Sequence, residues 1–262
     1  MSRYLRLLAA QLRASTQLAL QYRVDFVIGG VMSLFRLVWT LLPVLVVWAR
    51  RPEIAGWTLG EALLVVAWFR LLNGILEAAV HPALVAVIDH IRTGTLDFVL
   101  VKPADAQFLV STARFEPWRV IDALSGVGIA VYAFLKLGVW PSAAQVGAAL
   151  ALTVASVAIL YSLALLVVSA AFWVVRLDNL IYLFNAIFDA ARWPSTVWRG
   201  AWRILFTFVI PLALMTTYPA LALLGRLALT TGLAAIAGAA LFAVIARAIW
   251  LRAIAHYTSA SS

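Results

Sequence analysis

The chain has 262 residues, 65% of them hydrophobic and only 12% charged, with a mean hydropathy of +1.01. Soluble domains carry about 25% charged residues, so this composition excludes a soluble enzyme and calls for lipid, where only helices or closed barrels satisfy the backbone. The net charge of +9 sits at the ends of apolar runs and in short loops, a placement that points to lipid headgroups rather than nucleic acid, and the absence of cysteine excludes disulfides and thiolate metal sites.

Long apolar runs, rather than alternating ten-residue ones, predict an all-α membrane protein with six transmembrane helices in one domain spanning residues 1–262. Residues 2–22 read as an amphipathic interfacial helix, with Leu5, Leu8 and Leu12 on one side and Arg6, Arg13 and Gln17 on the other. These residues contain no unbroken apolar core, so no cleavable signal peptide is visible. The first span is expected at Val24–Ala49, with Arg36 near its middle, and the second at Leu59–Val80, closed by His81-Pro82. Arg70, Asn73 and Glu77 fall at i, i+3 and i+7 of the second span, a polar stripe on an otherwise apolar helix.

A charged segment, 81–118, follows. Leu84, Val87, Ile88 and Ile91 make one apolar face of a short helix, with Asp89 and Arg92 off that face. Gly94 fits the position just past the helix end, and Arg92 suits the last turn, where a cation complements the dipole. Leu96-Asp97-Phe98-Val99-Leu100 comes next, and Pro103 stops that run from continuing as a helix. Two readings stay open. The segment is a surface loop, or it docks a soluble partner, in which case the apolar face enters a groove on that partner and the charges form the rim.

The third span is expected at Val120–Val139, between Trp118 and Trp140 at the two interfaces. Ser142 is placed to cap the fourth, Ala143–Val175, and Arg176-Leu177-Asp178-Asn179 is a short polar break. The fifth, Leu180–Ala191, is barely long enough to cross. Residues 195–226 are rich in tryptophan and arginine and are broken by Pro211 and Pro219, so they read as bent, interfacial or re-entrant helices. The last span is Leu229–Leu251. Six spans place both termini on one side, and the distribution of basic residues favours the cytoplasm.

No G-x-x-x-x-G-K-[ST] loop is present, so ATP is not hydrolysed on this chain through that cradle. Three histidines without cysteine or an acidic cluster offer no metal site, and no nucleophile–base–acid constellation stands out. A charge at the bilayer centre costs at least about 2.5 kcal/mol, so Arg36, Arg70 and Glu77 must face protein or water. They either form ion pairs that fix packing, such as Glu77 with an arginine of the first or second span, or line a substrate path. Arg36 and Arg70 lie at similar depth, so one of them needs a further acid, and Asp189 is the candidate.

The run Ile91-Arg92-Thr93-Gly94-Thr95-Leu96-Asp97-Phe98-Val99-Leu100-Val101-Lys102-Pro103 resembles the cytoplasmic segment of bacterial ABC-2-type exporter permeases. Phe172-Trp173, the prolines Pro211 and Pro219, and the closing His256-Tyr257-Thr258-Ser259-Ala260-Ser261 extend the resemblance over nearly the whole chain. The resemblance implies an ATP-driven exporter of an amphiphilic, drug-like or lipid-like substrate in the bacterial cytoplasmic membrane, with both termini cytoplasmic. It implies a separate nucleotide-binding ATPase subunit, contacting Leu84, Val87, Ile88, Asp89, Ile91, Arg92, Gly94, Leu96 and Asp97 and carrying the ATP and magnesium. A second permease subunit, the same chain or a different one, is implied as well, and so is a broken helical pair dipping into the membrane from outside before the last span. No cofactor is expected on this chain. A proton-coupled secondary transporter using Glu77 or Asp189 is the rival reading, and a non-transporting scaffold the third.

Overall fold

The computed structural model describes residues 2–21, 23–173, 178–206 and 210–256. The expected polar break at Arg176-Leu177 and the tail from Tyr257 onward lie outside the described residues.

Helix α1 (Ser2–Gln21) lies along the charged segment, with the Tyr4 ring edge-on to Phe108 at 4.9 Å and Ser15 Oγ accepting the Phe115 N–H at 3.2 Å. Helix α2 (Arg23–Arg50) ends at Arg50, and the chain reverses through a two-residue hairpin, β1 (Glu53–Ile54) and β2 (Trp57–Thr58). This small addition to an all-α expectation follows from Ala55 (φ 53°) and Gly56 (φ 83°), the left-handed pair that a tight hairpin turn requires. Helix α3 (Leu59–Ile75) starts at a capping box, in which the Glu61 carboxylate accepts the Thr58 N–H at 2.9 Å.

The second span does not stop at Pro82. A π-turn at Leu76–Val80 carries α3 directly into α4 (His81–Arg92), giving one apolar rod from Leu59 to Arg92. Pro82 has no N–H for the Ala78 carbonyl four residues earlier, and its ring would crowd that turn. The π-turn makes the room, and the Glu116 N–H donates to the freed Ala78 oxygen at 2.8 Å. Short helices α5 (Asp97–Leu100) and α6 (Ala106–Ser111) follow, then α7 (Val120–Leu137) and α8 (Ala143–Ala170). Ser142 and Gln145 form the capping box of α8, and that helix ends at Ala170 rather than Val175, running into a turn at 171–173.

Helix α9 (Asp178–Asp189) has 12 residues, about 18 Å of rise, too short to cross about 30 Å of hydrocarbon unaided. Helices α10 (Ala201–Ile204), α11 (Tyr218–Leu223) and α12 (Leu229–Ala255) complete the chain. Among the described residues five helices are long and apolar enough to cross a membrane: Ile28–Arg50, Leu59–Arg92, Pro117–Leu137, Ala143–Ala170 and Leu229–Ala255.

Helices α3 and α7 meet backbone to backbone. A Cβ on Gly74 would lie 2.4 Å from the Ala123 nitrogen, and one on Gly126 would lie 2.5 Å from the Ala67 carbonyl oxygen. Small residues on both helices let the backbones meet, the usual device where lipid gives no hydrophobic drive for association. Gly126→Val is therefore expected to force α3 and α7 apart and cost about 1–3 kcal/mol or more, read as a lowered unfolding midpoint in detergent.

The two ends of the bundle differ. At one end the hairpin is clasped to residues 193–198: the Trp57 indole donates to Thr196 Oγ1 at 2.9 Å, and Thr196 Oγ1 donates to the Ala55 carbonyl at 3.2 Å. Glu61 pairs with Arg226 there at 2.5 Å. At the other end lie α1, α4 to α6 and the end of α12, so the N-terminal helix and residue 255 share one side. From the hairpin end, residues 211–217 reach down α8, where Ser156 Oγ donates to the Leu214 carbonyl at 3.2 Å, and Thr216 Oγ1 donates to the Ala191 carbonyl at 2.7 Å.

Candidate functional site

The close approach of α3 and α7 brings Arg70 against Asp122, both almost wholly buried, with Arg70 Nη2 2.6 Å from the Asp122 carboxylate. From α2, Ser33 Oγ donates to the same carboxylate and Arg36 Nη2 lies 3.3 Å from it. Arg70 Nε donates to Ser125 Oγ at 3.0 Å. One acid thus ties three helices together. Sequence reasoning missed Asp122, which stands at the start of a span and reads as an interfacial charge. The signal lay in Asp122, Ser125 and Gly126, whose i, i+3, i+4 spacing makes a polar and small stripe on α7.

The expected pairings change accordingly. Glu77 does not reach an arginine of the first or second span; it pairs at 3.3 Å with Arg119, which Glu116 also holds at 3.2 Å. The π-turn places Glu77 beside the entry to α7, away from the Arg70 level. Asp189 serves neither Arg36 nor Arg70; it pairs with Arg192 one turn on, at 2.9 Å. Even so, Arg36, Arg70, Asn73 and Asp189 share the wall of one cavity of about 360 Å³, together with Arg192, and Glu77 stands outside it. The other wall is aromatic, with Phe35, Trp39 and Phe69, and the Arg192 guanidinium sits 5.9 Å over the Phe69 ring. A second cavity of about 250 Å³, lined by apolar side chains including Leu163, Phe184 and Phe188, lies on the far side of the Phe69–Phe188 stack.

In the charged segment, α4 closes with Thr95 N–H donating to the His90 carbonyl at 3.0 Å and Gly94 (φ 69°) donating to Ile91, as the glycine position predicts. The apolar face is not presented to a partner. Leu84, Val87, Ile88 and Leu96 are buried within this chain against Leu165 and Val168 of α8 and Ala246 and Trp250 of α12, with Ile91 half-buried beside them. The reason is the continuous α3–α4 rod, which lays that face on the ends of α8 and α12. Asp97 is half-buried, while Asp89 and Arg92 remain exposed, as do Phe98 (71%) and Val101 (79%), two large apolar side chains that no sequence periodicity singled out.

The segment is latched to the last long helix. Arg247 of α12 holds Asp105 at 2.5 Å and donates to Gln107 Oε1, also at 2.5 Å, while Asp105 caps α6 by accepting the Phe108 N–H at 3.0 Å. The Arg247 hydrogen bond holds the Asp105 carboxyl below its usual range, against the opposing effect of burial. A depressed carboxyl stabilises above its unfolded value of about 3.9 and loses that contribution only as pH falls through the lower folded value, so the latch is intact throughout neutral pH. Arg247→Ala is expected to cost under about 1 kcal/mol in overall stability, because the pair is over a third exposed. It should nonetheless loosen the segment, seen as faster tryptic cleavage after Arg92 and Arg114.

A family model for an ABC-2 family transporter protein matches residues 34–261. The chain belongs to the ABC-2 transporter family. No curated protein and no solved structure matches it. Membership in the ABC-2 family and the five long apolar helices make this a multi-pass membrane protein of a transporter system, in the permease role. An ABC-2 permease implies an ATPase subunit as its partner and carries no ATPase site of its own.

Proposed function

We propose that this ABC-2 chain is the permease subunit of an ATP-driven exporter, a single transmembrane domain working with a separate nucleotide-binding subunit that docks on residues 89–102. The observation that carries the reading is the exposed Phe98–Val101 pair on a segment packed against α8 and α12. Exposed aromatic and aliphatic anchors framed by charges (Asp89, Arg92, Lys102) are what a protein interface offers at its centre and rim. Leu84, Val87, Ile88 and Leu96 serve coupling from behind, by carrying movement of that surface into the bundle. ATP and magnesium belong to the partner, and this chain needs no cofactor.

The six-span topology fits if α9 with residues 190–192 is a short fifth crossing and the described residues within 195–226 belong to a re-entrant region entering from the hairpin side. The contacts of Leu214 with Ser156 and of Thr196 with Trp57 support that path. Both termini then lie in the cytoplasm beside the motor, in a bacterial cytoplasmic membrane, with α1 at the interface. A second permease copy, or a different permease chain, completes the complex. The cationic cavity beside an apolar one suits an amphiphilic, lipid-like or drug-like substrate moving outward. Glu77 and Asp189 are each ion-paired, which gives the proton-coupled reading no free acid at either position. The test is retention of the ATPase subunit by the purified permease, and its loss in the Phe98→Asp variant.

A further inference from the structure

The cavity between α2, α3 and α9 carries more positive charge than its own wall neutralises. Asp122 is one carboxylate behind two guanidinium groups, Arg36 and Arg70, whereas Arg192 and Asp189 cancel each other. The acids that balance the region, Glu77 and Glu116, gather round Arg119 and do not line the cavity. Arg36 is the less committed of the two arginines. Its contact with Asp122 is 3.3 Å against 2.6 Å for Arg70, its Nε is enclosed without a hydrogen-bond partner, and 37% of its side chain stays accessible. A guanidinium with unfilled donors deep in a membrane protein is costly, and its planar fork matches the oxygens of a phosphate or carboxylate.

The surroundings add an apolar half to the site. Phe35 and Trp39, one turn apart on α2, stack at 6.4 Å beside Arg36 and are largely exposed. An alkyl chain lying on that face would leave its head group at the arginines. A cationic head group would meet the excess charge, and a neutral one would leave it unbalanced.

We propose that this cavity binds the anionic head group of an amphiphile, a phosphate or carboxylate, with Arg36 as its principal cation and the Phe35–Trp39 face as the seat of the apolar chain. The inference rests on the permease reading and narrows its substrate class. Asp189, 57% exposed on its side chain, is the opposing charge that sets how strongly the site draws an anion.

The test titrates the purified full chain, in neutral maltoside micelles, with dodecyl phosphate, laurate and dodecyltrimethylammonium, counting retained adducts by native mass spectrometry. The expected result is that an anionic probe binds at least about tenfold more tightly than the cation of equal chain length. Arg36→Gln abolishes that preference and Arg36→Lys keeps most of it. Asp189→Asn tightens anion binding severalfold, a gain that misfolding does not produce. The tighter of phosphate and laurate identifies the head group, and either order supports the site. Indifference to head-group charge, or an Arg36→Gln protein that binds the anion as the parent does, overturns the proposal. ATPase-subunit retention is read on the same preparations. Its loss with anion binding intact counts against the permease reading alone, and loss of anion selectivity with the motor retained counts against the cavity alone.

Discussion

Asp122→Asn is expected to lower the stability of the membrane bundle by about 3–5 kcal/mol, a large share of the roughly 5–15 kcal/mol that a folded protein has in hand. Asn preserves the shape and the hydrogen bond from Ser33 but removes the charge on which Arg70 depends. Arg70 is buried, and Ser125 is left as its remaining partner. An uncompensated guanidinium also remains at Arg36, so α2 keeps only the Ser33 hydrogen bond to the Asp122 position and loses its charged tie. The measurements are the yield of monodisperse protein and the unfolding midpoint in detergent. Arg70→Gln combined with Asp122→Asn should recover part of the loss, because removing both partners of a buried pair is far milder than removing one. A single Asp122→Asn protein as stable as the parent would show that the cluster does not hold the helices together.

Phe98→Asp is expected to release the ATPase subunit while leaving the permease folded in the membrane. Its side chain is free of the segment's core, so the change disturbs no packing within the chain. Losing a central interface anchor costs about 2 kcal/mol or more, roughly thirtyfold in affinity, and placing a charge there adds a desolvation penalty. Ile88→Asp should release the motor too, but by another route: it buries a carboxylate against α8 and α12 and unfolds the segment, so the permease itself loses stability. The two variants are told apart by the unfolding midpoint, unchanged for Phe98→Asp and lowered for Ile88→Asp. Asp89→Ala, an exposed rim charge, should be mild.

The pattern of long apolar runs was enough to place four of the five long helices to within about five residues and the start of the other, which runs on past Val80 to Arg92, because hydropathy over about 20 residues is a strong signal. Local caps were equally legible: Ser142, Gly94 and the turn chemistry around them act within a few residues and need no tertiary context. Pro82 misled because a proline normally ends a helix, and the device that accommodates it uses the N–H of Glu116, 38 positions after the carbonyl it satisfies. The same non-locality hid the ion pairing. Arg36, Arg70 and Asp189 line one cavity, but partner choice depends on which carboxylate the Gly74–Ala123 contact brings near. Periodicity found the apolar face of Leu84, Val87 and Ile88 correctly. It could not say that α8 and α12 cover it and that Phe98 and Val101 are the apolar side chains left outside.

The central claim, a motor docked on this segment, is tested most directly by cross-linking. The chain has no native cysteine, so a single Phe98→Cys substitution carries a photoreactive maleimide at one defined place. In membranes from cells making the permease with its ATPase subunit, the account predicts a light-dependent adduct of permease and ATPase from Phe98→Cys. Tyr132→Cys, on an exposed part of α7 within the span, should yield none. An ATPase subunit that co-purifies with the permease yet forms no adduct at Phe98→Cys would contradict the account.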